Sequence, residues 1–106
     1  EEFGEFDNSL YVNAKQKSDA EIAKQNLPAV VSLLEGIPDD RWENAELYSA
    51  LKLLAEKTGV KNSQLLWPMR VALSGRESTP GGATELAELL GKKETLRRLA
   101  FSLSKL

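Results

Sequence analysis

The stretch KNSQLLWPMRVALSGRESTPGGATELAELLGKKETLRRL, residues 61–99, decides how this chain folds. Its apolar residues recur at helical spacing in three blocks, separated by a glycine-rich turn at 75–82 and by Gly91. The first block, roughly 63–73, puts Leu65, Leu66, Met69, Ala72 and Leu73 on one side and leaves Ser63, Trp67, Arg70 and Ser74 near the other. Pro68 lies inside it and lacks the N–H that would bond the carbonyl of Gln64, so the helix is expected to start near Trp67 or to bend there. In the turn, Thr79 followed by Pro80 matches an N-cap and a first-turn proline, opening a helix to about Leu90 that buries Leu86, Leu89 and Leu90. The free amides at such a helix start suit an acceptor atom or an anion. The last block, about 92–104, aligns Leu96, Leu99, Ala100, Leu103 and Leu106 and turns Arg97, Arg98 and Lys105 outward.

Upstream the same periodicity continues. Asn44 is placed to cap a helix whose apolar positions are Leu47, Ala50, Leu51, Leu54 and Ala55, stopped at Gly59, and Asn62 is placed to cap the next. Before it, S-D-A-E at 18–21 forms a capping box with Ser18 as N-cap, ahead of Ile22, Ala23 and Leu27. Pro28 should end that helix, or kink it and restart a segment carrying Val30, Val31, Leu33 and Leu34 to the core until Gly36 and Pro38 stop it. Trp42 reads as an apolar plug over the helix ends. Residues 1–17 read as a linker or the end of a preceding helical domain, and 18–106 as the domain proper. The start at Glu1 with the acidic EEFGEFDNS suggests a piece of something larger. The expected fold is all-α, a compact bundle or cage of about five or six short helices.

Composition narrows the chemistry. With 106 residues, no cysteine and no histidine, the chain can build one core but offers no disulfide, no cysteine- or histidine-ligated metal, and none of the nucleophile–histidine pairs. No window resembles a membrane span or a signal peptide, so a cytoplasmic monomer is expected. The net charge of −2 hides an asymmetry: residues 1–60 carry 6 basic and 12 acidic side chains, residues 61–106 carry 8 and 4. An anionic partner is expected on the second half.

The blocks W-P-M-R-V-A-L-S-G, T-P-G-G and E-L-L-G-K-K-E-T-L-R-R-L, in this order, resemble the C-terminal anticodon-binding region of bacterial glutamyl-tRNA synthetases. The lead-in L-Y-V-N-A-K-Q-K-S-D extends the likeness over nearly the whole chain. The resemblance implies a helical cage that binds the anticodon end of a glutamate-accepting tRNA, with glutamine-accepting tRNA a further option. It implies a parent ligase that uses ATP and magnesium to attach glutamate. The histidine-containing signature and the Lys-Met-Ser-Lys-Ser-type loop of that family's catalytic part do not occur here, so no cofactor site and no activity are expected of this stretch alone.

Carried over by position, the resemblance makes Arg70 a base-contacting arginine and Thr79, Pro80 and Gly81 the base-contacting turn. Members commonly continue T-P-G-L-F-E, whereas this chain reads T-P-G-G-A-T-E, so Gly82 and Ala83 stand where a base-packing apolar residue is usual. The chemistry fits without the likeness: splayed bases stack on aromatic or guanidinium planes, and Arg70 offers a planar fork of donors. Trp67 reads as a packing residue first and a stacking platform second. Arg76, Lys92, Lys93, Arg97 and Arg98 are candidates for phosphate contacts, which strengthen binding without reading sequence. The alternative function is a helical protein-interaction module without RNA binding.

Overall fold

In the computed structural model, which describes residues 6–76, 79 and 81–106, five α-helices follow one another: α1 (Ala20–Glu35), α2 (Asn44–Thr58), α3 (Asn62–Ser74), α4 (Ala83–Leu90) and α5 (Lys92–Ser104). Short 3-10 turns at Asn8–Tyr11, Ala14–Gln16 and Asp39–Arg41 complete the regular structure, and no strand occurs among the described residues. The all-α expectation holds. Pro80, singled out in the turn, and residues 1–5, 77 and 78 lie outside the described residues.

α3 is the central element and packs against all four other helices. Its apolar run makes this possible, because Leu65, Pro68, Met69, Val71, Ala72 and Leu73 are all buried and occupy more than one face. Around it the core takes Ala23, Leu27, Val30 and Leu34 from α1, Leu47, Leu51 and Ala55 from α2, and Leu99 from α5. Each buried leucine contributes about 1.5–3 kcal/mol, so this shared core outweighs any single helix propensity. Polar ties fix its orientation: the Ser102 hydroxyl on α5 donates to the Ala72 carbonyl of α3 at 2.7 Å, and the Trp42 indole Nε1 donates to the Ala87 carbonyl of α4 at 2.7 Å.

Pro68 neither starts nor interrupts α3, which runs unbroken from Asn62 to Ser74. The carbonyl of Gln64 that Pro68 leaves without a backbone donor accepts instead from the side-chain Nδ2 of Asn26 on α1, at 3.0 Å. A proline inside the central helix thus becomes a contact between helices. α1 likewise runs through Pro28 rather than ending there; Pro28 and Lys24 both face solvent, where water can serve the carbonyl that the proline frees.

The helix starts lie one to three residues from where cap preferences put them. Asp19, not Ser18, caps α1, its carboxylate accepting from the Ile22 amide at 2.8 Å, while Ser18 is buried. Asn44 and Asn62 are first helical residues rather than caps, and α3 begins with the Gln64 Oε1 accepting from the Lys61 amide at 2.9 Å. Thr79 does not cap α4; its hydroxyl donates to the Gly81 carbonyl, and the helix begins at Ala83 with Gly82 as cap. α4 packs Leu86 and Leu90 partly buried against the core, as its leucines suggest, but not Leu89. Ala83 and Ala87 are buried while Leu89 is 82% exposed, because Trp42 seats on the Ala87 carbonyl and small residues let the helix approach closely.

The segment read as a linker is packed from Phe6 onward. Tyr11 is fully buried, and burial pushes its phenol up to about 12. Asn8 Nδ2 donates to the Lys105 carbonyl at 2.9 Å, joining the two ends of the described chain. The left-handed Gly75 that ends α3, at φ 66°, lies so close to Phe6 that a Cβ there would meet the ring at 3.0 Å.

Candidate functional site

α2, α3 and the N-terminus of α4 enclose an open groove of about 540 Å³. Its floor and walls come from Asn44 and Tyr48 of α2, from Asn62, Ser63, Leu66, Trp67 and Arg70 of α3, and from residues 82–85. The helical period explains the α3 contribution. Ser63, Trp67 and Arg70 recur at steps of four and three, so they form a stripe beside the buried one.

Trp67 and Arg70 form a unit within this stripe. The guanidinium carbon of Arg70 lies 4.6 Å from the Trp67 ring centroid, stacked over the indole, and the indole Nε1 donates to the Leu10 carbonyl at 3.1 Å. One ring face is therefore occupied by the arginine and the polar edge by the backbone. Trp67 is a platform for Arg70, which agrees with its reading as a packing residue. The guanidinium is thereby held as a flat, charged donor surface at the groove wall.

Opposite, the first turn of α4 brings Gly82 and Ala83 into the groove. Glu85 Oε1 accepts from the Gly82 amide at 3.0 Å, and the Thr84 hydroxyl donates to Asn44 Oδ1 at 2.5 Å, tying the starts of α4 and α2 together. The amides of residues 83–85 precede the first intrahelical bond, made by Leu86, so they are donors at the groove edge. A Cβ at Gly81 would stand 3.2 Å from the Glu85 side chain, crowding the carboxylate that caps the helix.

Four of the residues singled out from sequence thus converge on one groove: Trp67, Arg70, Gly82 and Ala83. The basic run does not join them, since no α5 residue lines the groove. Lys92 turns its ammonium to the end of α1, donating to the carbonyls of Glu35 at 3.0 Å and Ile37 at 2.7 Å. Arg98 donates to the Leu73 carbonyl at the end of α3 at 2.9 Å and to Glu94 at 2.7 Å. Both side chains thus serve carbonyls at or just past helix C-termini. Arg97 forms a two-pronged pair with Glu94 at 2.8 and 2.6 Å; these two arginines hold the Glu94 carboxyl down at about 2. Lys93 and Arg76 are exposed.

Of the groove residues, Tyr48 and Gln16 were passed over by sequence reasoning, and Asn44 and Asn62 were read only as helix caps. Tyr48 had a signal, being a large aromatic off the apolar stripe of α2, and it is 43% exposed. The amides had none, because Asn44 and Asn62 are ordinary helix-start residues and Gln16 merely ends a 3-10 turn until the fold brings them together.

A helical cage whose groove presents a stacked guanidinium, an aromatic ring and a helix start defines a class of domain that can hold unstacked bases. The chain belongs to the anticodon binding domain family, whose model matches residues 1–103. Among its relatives, a glutamate–tRNA ligase of Clostridium botulinum is 43% identical over 99 residues, covering 93% of this chain and 20% of that protein. The glutamate–tRNA ligase of Clostridium tetani is 40% identical over 106 residues, 100% of this chain and 21% of that protein. That of Clostridium novyi is 41% identical over 105 residues, 99% of this chain and 21% of that protein. The chain therefore spans about a fifth of the length of the curated relatives it matches. No solved structure matches it significantly.

Proposed function

We propose that this chain is the tRNA-binding, anticodon-recognising portion of a glutamate–tRNA ligase, and that the groove between α2, α3 and α4 receives the anticodon bases. The observation that carries the reading is the convergence of the Trp67-stacked Arg70 guanidinium with the start of α4 across one open groove. Arg70 hydrogen-bonds a base edge, Tyr48 offers a ring for stacking, and Thr79, Gly81, Gly82 and Ala83, with Pro80 between them in sequence, contact a second base. With only Gly82 and Ala83 there, the turn contacts its base through backbone groups rather than a large apolar side chain.

In the parent ligase, ATP, magnesium and glutamate are handled outside this chain. The enzyme acts as a cytoplasmic monomer on glutamate-accepting tRNA, and the small Gly82–Ala83 turn leaves room for the glutamine-accepting species as well.

Fluorescence anisotropy with labelled glutamate-accepting tRNA tests this. Saturable binding that weakens with salt is expected. Arg70→Ala should weaken it by roughly tenfold, a base contact being worth about 1–3 kcal/mol, and should narrow the preference over a tRNA with a changed anticodon. An unchanged affinity and preference in Arg70→Ala would refute the role given to Arg70.

A further inference from the structure

Charge is arranged unevenly across the groove. Glu85 of α4 lines it, and Glu43 and Glu46 are sequence neighbours of the groove-lining Asn44 at the start of α2, which the Thr84–Asn44 bond ties to α4. On the opposite side the groove is lined by Gln16, Asn62 and Ser63, whose chain neighbours are Lys15, Lys17 and Lys61, all exposed. None of these three lysines forms an ion pair with a described residue; the described pairs are those of Glu94 with Arg97 and Arg98. The acid nearest to Lys15 and Lys17 in sequence, Asp19, has a carboxylate oxygen that accepts from the Ile22 amide as the cap of α1.

The lysines belong to segments far apart in sequence that are bonded together. The Ser63 hydroxyl donates to the Gln16 carbonyl at 2.8 Å, and Gln64 Nε2 donates to the Lys17 carbonyl at 3.1 Å while its Oε1 accepts from the Lys61 amide at 2.9 Å. Reciprocal backbone bonds between Asn13 and Ser18, at 2.8 and 3.0 Å, close the loop that carries Lys15 and Lys17. Lys17 is itself the non-glycine residue with positive φ among those described, at 58°. A side chain in that region costs free energy that tertiary bonds must offset, and here the Gln64 amide supplies one.

We propose that Lys15, Lys17 and Lys61 form the phosphate-contacting edge of the groove, along which the RNA backbone runs while its bases turn inward toward Arg70. This rests on the anticodon-binding reading of the groove. The acidic α4 side repels a polyanion and the lysine side attracts it, so the strand has one edge to follow. Lys92 and Arg98 cannot supply that edge, being committed to the carbonyls of Glu35, Ile37 and Leu73.

The test compares salt dependence of tRNA binding by the unaltered chain, by Lys15→Gln/Lys61→Gln, by the same pair with Lys17→Gln added, and by Lys93→Gln/Arg97→Gln, with helicity checked by circular dichroism. The double variant leaves the Lys17 backbone conformation untouched and so guards against misfolding. Each lost phosphate contact should lower the slope of log K against log salt by about 1 and weaken all anticodon sequences alike. The Lys93/Arg97 variant should keep the full slope. An unchanged slope in the Lys15/Lys61 variant overturns the proposal, as does a drop confined to the Lys93/Arg97 variant. A slope loss in the lysine variants combined with no anticodon preference in the unaltered chain keeps the phosphate edge but removes the anticodon reading. If the unaltered chain binds no RNA, both fall.

Discussion

Arg70 depends on Trp67 for its position, and the two should behave as one unit. Trp67→Ala removes the ring under the guanidinium and the bond to the Leu10 carbonyl, so it should weaken tRNA binding nearly as much as Arg70→Ala. The double variant should be little worse than either, and full additivity in a double-mutant cycle by anisotropy would show that the stack has no part in binding. Glu94 gives a second prediction at this scale. Its carboxyl is lowered to about 2 by hydrogen bonds from Arg97 first and Arg98 second, so its stabilising effect is present above the ordinary carboxylate range and is lost as pH falls through about 2. Glu94→Gln should therefore be less stable than the native chain at pH 7 in urea unfolding, and the gap should close in acid. Arg70 was legible in the sequence because it sits one step off an apolar stripe. The commitments of Lys92 and Arg98 were not, because their carbonyl partners lie 55 and 57 residues away in one case and 25 in the other.

Among the elements, periodicity located every long helix, while starts and inward faces depended on tertiary contacts. Ser18 has the chemistry of an N-cap but is buried, so Asp19 takes the role; Thr79 has it too but spends its hydroxyl on Gly81. α4 was expected to bury Leu86, Leu89 and Leu90; Leu86 and Leu90 do pack partly buried against the core, but Leu89 is exposed and the fully covered positions are Ala83 and Ala87, since close approach to Trp42 favours small residues there. Pro68 was expected to make α3 start near Trp67 or bend there, but the helix runs on from Asn62 and the missing donor comes from another helix. Asn26→Ala should leave the part-buried Gln64 carbonyl without its donor and destabilise the fold by about 1–3 kcal/mol in denaturant unfolding. In a Pro68→Ala background, which restores the backbone N–H, the same change should cost clearly less. An equal cost in both backgrounds would mean that Asn26 does not serve the proline-freed carbonyl. Lys92→Met should likewise destabilise the end of α1, by about 1 kcal/mol, while leaving tRNA affinity unchanged.

For the whole molecule, the fold converts a weak overall charge into a directional one. The sequence showed a basic second half, but the groove draws its cationic edge from both halves, Lys15 and Lys17 from one and Lys61 from the other. Motif spacing brought Trp67, Arg70 and the turn to notice, and only the packing of α2 on α4 added Tyr48 and Asn44. The most direct measurement of the central claim is a titration of the isotopically labelled chain with an RNA hairpin bearing the glutamate anticodon, followed by amide chemical shifts. The groove account predicts that the largest shifts fall on Tyr48, Trp67, Arg70, Gly82 and Ala83, with smaller ones at Lys15, Lys17 and Lys61. Shifts centred on α5 from Lys92 to Ser104, with the groove silent, would contradict it.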